Sequence, residues 1–249
     1  MTMRIKIIRL DETDSTNNYL RAYRNAEGER MTVVQAEYQS AGRGQGVNVW
    51  ESERGKNLTF SIKCRPKQLP AARQYVMLEA GALAVCDVLA EYAGGMTIKW
   101  PNDIYCGDFK ISGTLSECSV TSAGIRHCIL GMGININQDR FVGNAPNPIS
   151  LLNVRGCETD REQVLLEVLE RFDHYLSMVD AGRYDAIDES YKSMLYRRTG
   201  FHLYEDGEGV FEAEYADILT NGHLVLRRRD EMLSEYAFKE VKFLKELTP

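Results

Sequence analysis

The chain has 249 residues, of which 44% are hydrophobic and 27% charged, and this composition predicts one large globular domain with a smaller satellite. The formal net charge of −6 at pH 7 argues against a general nucleic-acid binder, because affinity for phosphate backbones comes mainly from accumulated lysine and arginine. Residues 1–10 hold no uninterrupted apolar run and no stretch is long enough to span a membrane, so we expect a cytoplasmic protein without a signal peptide.

The cysteines and histidines show no pattern that indicates a disulfide or a metal site. The six cysteines have no C-x-x-C spacing and no secretory signal accompanies them, so we predict that they are small apolar core residues. The four histidines are scattered and form no cluster with cysteine. Disulfides and structural zinc are therefore not expected.

The first part of the chain alternates between strands and helices. Hydrophobic and β-branched runs predict strands, and a helix is predicted where Asp14 or Ser15 can cap its first turn. Residues 72–92 carry apolar side chains at three- and four-residue spacing, which is typical of a helix with one buried face. The predicted strands are 4–10, 32–39 and 57–64, and the first helix runs to about residue 24.

Three strands and two helices are predicted in the middle of the chain. Residues 140–148 contain two prolines and indicate a surface loop. Thr159 and Glu162 form a capping-box pattern ahead of a helix, and a shorter helix follows to about residue 197. The strands, joined by a Pro-Asn-Asp turn and by turns rich in Ser, Thr and Gly, are 96–100, 109–117 and 125–136.

The pattern changes after residue 199, where only short strands are predicted. Turn signals such as Glu-Asp-Gly and Thr-Asn-Gly separate them and indicate a small β-barrel-like unit. The basic run at residues 227–229 indicates either a solvated strand end or a rim contact to an acidic partner protein. The predicted strands are 201–204, 209–219, 223–229 and 233–238.

The most informative segment is the glycine-rich run G-R-G-Q-G at residues 42–46, which lies between two predicted strands. Glycine reaches left-handed backbone conformations without steric cost, and successive exposed N–H groups form a concavity that binds anions. The guanidinium of Arg43 could close such a site. The loop therefore predicts phosphate binding, and its alternative is an ordinary surface loop.

Two better-known phosphate motifs are excluded by counting. A Walker A loop ending at Gly55-Lys56 needs glycine and then serine or threonine where the chain has Trp50 and Asn57. A dinucleotide-binding fingerprint needs its third glycine at position 47, one residue later than Gly46. The chain is therefore neither a P-loop protein nor, by this motif, a Rossmann protein.

Four further segments accompany the loop in a fixed order. They are Asp14-Ser15-Thr16-Asn17, then Lys99-Trp100-Pro101-Asn102-Asp103 followed by Lys110-Ile111-Ser112-Gly113, and Gly131-Met132-Gly133-Ile134-Asn135. Together with residues 37–44 they resemble, in order and spacing, the catalytic domain of biotin protein ligases. The resemblance covers most of the first two thirds of the chain, and the K-W-P-N-D run joined to G-R-G is specific to that family.

The resemblance implies an α+β fold with a catalytic domain like that of class II aminoacyl-tRNA synthetases, a mixed sheet with flanking helices, at residues 1–197. It implies a small C-terminal SH3-like β-barrel at residues 198–249. The implied reaction is ATP-dependent activation of biotin to biotinyl-5′-AMP and its transfer to a lysine of a biotin carboxyl carrier protein. Mg²⁺ would be held by phosphate oxygens and water, and a homodimer is left open.

The resemblance also assigns residues to roles. Catalytic roles fall to Lys110, which would reach both the biotin carboxylate and the α-phosphate, to Arg43, and to Asp103, which would orient the incoming lysine. The implied biotin-binding residues are Ser15, Thr16, Asn17, Gln39, Gly42, Arg43, Gly44, Gln45, Lys110, Gly113 and Gly133. The implied nucleotide-binding residues are Arg43, Trp50, Trp100, Asn102, Lys110 and Asn135.

Three alternatives remain. A lipoate–protein ligase shares the adenylation chemistry, but its R-R-x-S-G-G-G motif is missing. A biotin-sensing repressor needs a winged-helix domain, and only 13 residues precede Asp14, so DNA is not an expected partner. The third is a non-catalytic nucleotide-binding protein.

The chain also departs from the family at Gln45-Gly46-Val47, where many relatives carry a basic residue, and this puts tight retention of the adenylate in doubt.

Overall fold

The computed structural model describes residues 5–24, 29–44, 46, 48–143 and 147–245. They form a seven-stranded sheet with flanking helices and a second, five-stranded sheet. In chain order the elements are β1 (Ile5–Thr13), α1 (Thr16–Ala22), β2 (Met31–Gln39), β3 (Leu58–Cys64), α2 (Val76–Tyr92), β4 (Met96–Lys99), β5 (Asp103–Cys106), β6 (Phe109–Thr121), β7 (Gly124–Ile134), α3 (Leu151–Arg155), α4 (Arg161–Asp180), α5 (Tyr184–Ser193), β8 (His202–Asp206), β9 (Gly209–Ile218), β10 (Leu224–Arg228), β11 (Leu233–Tyr236) and β12 (Lys242–Phe243).

The large sheet has the order β1-β2-β3-β7-β6-β5-β4 and is mixed, because β1 pairs with β2 in parallel whereas the other pairs are antiparallel. Successive side chains of a strand point to opposite faces. Val33 accordingly lies in the main core, whereas Val34 joins Leu20 and Ile129 in a smaller cluster under α1. The sheet therefore carries α1 on one face and α2 on the other.

The helix α2 is buried around most of its circumference, since it packs against the sheet and against α4 and α5. The buried surface of the helix is therefore wider than the single face that the spacing predicts. The α-helix also begins later than predicted, at Val76, after a 3₁₀ turn at Ala71–Arg73. The capping-box prediction for the next long helix is wrong by one residue. Asp160 is the N-cap of α4, and its carboxylate accepts hydrogen bonds from the backbone amides of Glu162 and Gln163 at 2.9 and 3.3 Å.

The second sheet has the order β11-β10-β9-β8-β12 and is antiparallel throughout. Within residues 202–243 no pairing joins β11 to β12, so this unit is an open sheet and not the closed barrel that we expected. Its buried residues Tyr204, Ala213 and Leu226 belong to the same core as the first sheet. The mixed α+β class is confirmed.

Three elements were not predicted from the sequence. They are β5, which continues from the expected Pro-Asn-Asp turn, the short helix α3, and the two-residue strand β12. All six cysteines are free, but Cys157 is exposed, which contradicts its assignment to the core. No helix within the described ranges is long and apolar enough to cross a membrane.

Candidate active site

Two adjoining cavities open beside the ends of the central strands. The first, of about 570 Å³, is lined by residues from the α1 start, the glycine loop, β6, β7 and the C-terminal sheet. The second, of about 690 Å³, lies towards residues 135–148. The residues that line both are Asn48, Val49, Trp50, Lys99, Asp103 and Lys110.

A buried polar cluster forms one end of the first cavity. The backbone amide and hydroxyl of Thr16 donate to Gln39 Oε1 at 2.8 and 3.0 Å. Ser61 Oγ lies 2.7 Å from Thr16 Oγ1 and donates to Asn17 Oδ1 at 2.5 Å. This fixes the amide of Asn17 and leaves its buried Nδ2 without a partner among the described residues. A ligand acceptor could satisfy this donor.

Three predicted biotin contacts meet in this cluster, and one unpredicted residue joins them. Thr16, Asn17 and Gln39 lie together as expected, and Ser15 lines the same cavity. Ser15 occupies the N-cap position of α1, but its side chain makes no capping hydrogen bond. Ser61 was missed, because a single serine inside an apolar strand carries no local signal.

Glycines keep the cavity open where two strands pass it. A Cβ on Gly131 would overlap Asn17, and a Cβ on Gly133 would overlap the indole of Trp50. A Cβ on Gly113 would lie 3.2 Å from Asp103 Oδ1 and 3.4 Å from Lys110 Nζ. The backbone approaches these side chains closely only because no Cβ intervenes.

The glycine loop closes on itself. Trp50 donates its amide to Gly42 O at 3.0 Å, and Gly44 donates its amide to Asn48 O at 2.8 Å. The amide of Gly44 is therefore engaged in this conformation and not free for an anion, contrary to the sequence expectation. Gln45, the neighbouring predicted contact, lies outside the described residues.

Arg43 points to the outer edge of the loop. Its guanidinium pairs with Glu117 at 2.9 Å and contacts Asn18 Oδ1 at 3.4 Å. Glu117 also pairs with Arg21 at 2.7 Å. The only arginine of the loop is thus neutralised by a carboxylate of β6, although its side chain still lines the first cavity.

Lys110 stands where the two cavities meet. Its Nζ lies 2.6 Å from Asp103 Oδ1 and 5.8 Å from the centre of the Trp50 ring. Both charged side chains are about one quarter exposed. Asp103 and Gly113 face each other across β5 and β6, so the strand register brings these three predicted residues together.

Hydrogen bonds fix the side chains of the K-W-P-N-D segment. Trp100 Nε1 donates to Gly222 O at 2.9 Å, and Asn102 Nδ2 donates to Thr114 O at 2.7 Å. Lys99 Nζ donates to the Tyr105 hydroxyl at 3.1 Å, and burial lowers the pKa of Lys99. Trp100 and Asn102 line the first cavity, away from Asn135.

The second cavity combines apolar walls with unpartnered polar atoms. Asn135 donates to Ile149 O at 3.0 Å while its buried Oδ1 has no partner among the described residues, and the same holds for Trp50 Nε1. Phe141 and Val142 line this cavity, and Val142 is 90% exposed. The prolines of residues 140–148 predict a surface loop, whereas the two adjacent apolar residues in it are a signal for a binding surface.

The described residues hold no group of three His, Cys, Asp or Glu side chains that could bind a metal ion. Asp103 is the one carboxylate that lines the first cavity within the same ranges. The arrangement instead brings a lysine, a carboxylate and an indole to the junction of the two cavities. Such a junction can bring two anions together while a cation offsets their repulsion.

Comparison with known proteins gives consistent results. A model of the biotin/lipoate A/B protein ligase family matches residues 9–135. The bifunctional ligase/repressor BirA of Bacillus subtilis is 32% identical over 169 residues, covering 66% of this chain and 51% of that protein. The biotin–[acetyl-CoA-carboxylase] ligase of Paracoccus denitrificans is 29% identical, covering 88% of this chain and 92% of that protein.

Solved structures agree with the sequence relatives. The biotin protein ligase of Aquifex aeolicus in complex with biotin and ATP superimposes with a TM-score of 0.78 at 26% identity, covering 97% of this chain and 99% of that one. The chain spans about half the length of the bifunctional BirA relatives that it matches.

Proposed function

The chain belongs to the biotin/lipoate A/B protein ligase family, and from this premise we propose that it activates biotin with ATP and biotinylates a carrier protein. The first step gives biotinyl-5′-AMP and pyrophosphate, and the second transfers the biotinyl group to a lysine of a biotin carboxyl carrier protein. The observation that carries this proposal is the position of Lys110, whose amine lines both cavities.

In the first step a biotin carboxylate oxygen attacks the α-phosphorus of ATP, and the bond to pyrophosphate breaks. Two anions must approach, so a fixed cation between them lowers the barrier. Lys110 is suited to this role because it stands between the pockets that we assign to biotin and to the nucleotide. Lys99, which is partly buried and lines both cavities, adds a second positive charge.

Biotin fits the first cavity by its chemistry. The ureido ring has one carbonyl and two N–H groups, which require a small set of fixed partners. The Thr16–Gln39–Ser61–Asn17 cluster offers such partners, and the unpartnered Nδ2 of Asn17 is a donor for the ureido carbonyl. Met132 and Phe60 supply apolar wall for the rest of the ligand.

The nucleotide fits the second cavity. An adenine ring is flat and largely apolar, and Phe141, Val142 and Trp50 offer surfaces of that kind. Asn135, with a free carbonyl oxygen, can accept a hydrogen bond there. Trp100 and Asn102, which the sequence also predicts as nucleotide contacts, support the pocket from the side of the first cavity.

In the second step the lysine amine of the carrier attacks the acyl carbonyl and AMP leaves. The incoming lysine is protonated at neutral pH and must lose its proton. Asp103 can orient that ammonium and accept its proton, because it lies next to Lys110, where the adenylate carbonyl would stand.

Magnesium, when bound, would neutralise charge on the triphosphate. Asp103 is the carboxylate that the described lining offers to it, so we propose that phosphate oxygens and water supply most ligands. We also propose a division into a catalytic domain at residues 1–197 and an SH3-like domain at 198–249. A homodimer, the lack of DNA binding and the cytoplasmic location stay predictions of the sequence.

The proposal is tested by incubating the protein with biotin, ATP, Mg²⁺ and a biotin carboxyl carrier domain, followed by intact-mass measurement. The carrier should gain the mass of one biotinyl group, and only when ATP is present. A parallel reaction with lipoate addresses the other branch of the family. A gain with lipoate but none with biotin would reassign the substrate, and a gain with neither would overturn ligase activity.

A further inference from the structure

The C-terminal sheet contributes a wall to the first cavity. The turn after β11 and the strand β12 bring Phe238, Lys239 and Val241 to its mouth. Lys239 adopts a φ of 74°, a left-handed conformation that residues other than glycine rarely take. The turn therefore holds this lysine at the cavity despite a backbone cost.

The amine of Lys239 lies against the glycine loop. A Cβ added to Gly46 would stand 2.5 Å from Lys239 Nζ. The amine can take this place only because Gly46 has no side chain. A positive charge from the C-terminal sheet thus occupies the space that a loop side chain would otherwise fill.

Lys239 differs in its partners from three of the other cations around the cavity. Arg43 pairs with Glu117, Lys110 with Asp103 and Lys242 with Glu205, each at 3.1 Å or less. Within the described part of the chain, no carboxylate lies within ion-pair distance of Lys239. An unneutralised cation beside a loop with left-handed glycine backbone is a feature of an anion site.

We propose that Lys239 is a phosphate-binding residue that reaches across from the C-terminal sheet and holds a nucleotide phosphate under the glycine loop. It would supply the charge that the loop itself lacks around Gly46, where the neighbouring sequence is Gln45 and Val47. The inference rests on the proposed function for the identity of the ligand. Two phosphates share this chemistry, namely the α-phosphate of the acyl adenylate and the triphosphate of ATP.

The test uses binding measurements that require no turnover. The two tryptophans of the chain, Trp50 and Trp100, both line the first cavity, so their fluorescence should report ligand binding. Stopped-flow gives the dissociation rate of synthetic biotinyl-5′-AMP, and titration in the absence of biotin gives the Kd of ATP. Turnover of the wild-type protein is measured separately, so that failure of the ligase proposal is recognised by itself.

Three variants separate charge from backbone effects. Lys239→Gly removes the amine and accepts the left-handed conformation, whereas Lys239→Arg keeps a cation. Lys245→Gly is the matched control, because this exposed lysine belongs to the same C-terminal region and lines neither cavity. All three variants are measured at low and at physiological salt, since an ionic contact weakens with ionic strength.

Lys239→Gly should weaken binding of at least one of the two ligands by about tenfold, the lower end of a charge-assisted hydrogen bond. Faster loss of biotinyl-5′-AMP, with or without a raised Kd for ATP, identifies the α-phosphate, which both ligands carry, and a raised Kd for ATP alone identifies the β- and γ-phosphates. Lys239→Arg should restore binding, and Lys245→Gly should match the wild type. Binding within twofold of wild type in both measurements, or an equal loss in the Lys245 control, would overturn the inference even in an active ligase.

Discussion

Lys110 and Asp103 form an ion pair at the junction of the two cavities. At 2.6 Å each side chain neutralises the other, and Gly113 leaves both within reach of the cavity. A carboxylate and a phosphate that enter together can replace Asp103 as partners of the amine. Release of Asp103 would then coincide with formation of the adenylate, at the moment when a carrier lysine needs a base.

Lys110→Ala should abolish most biotin-dependent ATP–pyrophosphate exchange. Removal of one preorganised donor of transition-state charge costs about 10²–10³ in rate. Exchange and the unfolding midpoint are measured together, with Lys67→Ala as the control because Lys67 is exposed and lines neither cavity. Exchange within a factor of two of wild type would mean that Lys110 is only a partner of Asp103.

Arg43→Gly should release preformed biotinyl-adenylate faster. A charge-assisted contact from this arginine is worth about tenfold or more in retention. The dissociation rate is measured, together with labelling of bovine albumin as a bystander source of lysine.

The Arg43–Glu117 pair supplies a test in the opposite direction. Glu117→Gln should slow release, because it frees the guanidinium for the ligand.

An unchanged dissociation rate in Arg43→Gly would mean that the cavity walls, and not Arg43, retain the adenylate. The described conformation makes that outcome informative, because the guanidinium is held by Glu117 and Asn18 and must move to meet a ligand. Retention would then depend on groups already directed into the cavity, such as the unpartnered amide of Asn17.

At the scale of elements, long patterned segments follow from the sequence and short ones do not. The strands β2 and β3 match the predicted ranges within a residue, because their apolar runs are bounded by turn residues. The four residues of β5 begin two positions after Pro101, at the end of the Pro-Asn-Asp turn, so the turn signal dominates the local sequence. Their extended state depends on pairing with β4 and β6, which no local pattern encodes.

The helix α2 contains a carboxyl that its spacing did not reveal. Glu79 is 2% exposed, because α5 covers the side of the helix that faces away from the sheet. Burial, together with a hydrogen bond to Asp188 and the negative charge of that residue, raises the pKa of Glu79 to about 9. Its Oε2 has no partner among the described residues, so the neutral acid is the form that this site accepts.

Glu79→Gln should therefore change how stability depends on pH. Between the ordinary value of 4.5 and about 9, the native protein keeps a proton that the unfolded chain has lost. Stability supplied by that proton is complete at low pH and falls as the pH rises. The substitution should raise the free energy of unfolding at pH 8 by on the order of 2–4 kcal/mol, with little change at pH 5.

Urea unfolding at several pH values measures this slope. Glu189→Gln on α5 is the control, since Glu189 is exposed. If Glu79→Gln unfolds with the same pH dependence as the wild type, the buried carboxyl is not the protonated group that we describe.

At the scale of the whole molecule, the two sheets share one hydrophobic core and one cavity. Of the residues that line both cavities, the sequence predicted Trp50, Asp103 and Lys110 as site residues, because they lie in or beside compact segments with distinctive composition, and it did not predict Asn48 and Val49. Ser61 and Phe238 could not be predicted in the same way. Each reaches the site through packing of a distant strand or of the second sheet, and neither carries a local signal.

Shared packing also limits how the C-terminal sheet can be tested. Removal of residues after 198 would delete core residues such as Tyr204 and Leu226 and uncover the residues that they pack against, and a loss of activity could then reflect unfolding. A contact between the second sheet and the rest of the chain is a better probe. The carbonyl oxygen of Gly222 accepts a hydrogen bond from Trp100. The hydroxyl of Tyr75 is hydrogen-bonded to that of Tyr191, which donates to the carbonyl oxygen of Pro101.

Gly222→Ala should separate docking of the second sheet from its own stability. Gly222 has a φ of 89°, and a Cβ there would overlap the ring of Tyr75. Gly200→Ala is the matched control, because Gly200 has a φ of 82° and its nearest neighbour would be 3.9 Å away. Both variants lose about 1–2 kcal/mol from the left-handed backbone, and Gly222→Ala should lose a further 1–3 kcal/mol, roughly, from overpacking.

The same substitution should disturb the active site from a distance. Displacement of Tyr75 or of Gly222 O withdraws support from Trp100 and from the carbonyl of Pro101, which precede Asn102 and Asp103. ATP–pyrophosphate exchange in Gly222→Ala should therefore fall at temperatures where the protein is still folded, whereas Gly200→Ala keeps the wild-type rate. Equal activity in the two folded variants would show that the second sheet stabilises the chain without positioning the residues that surround Lys110.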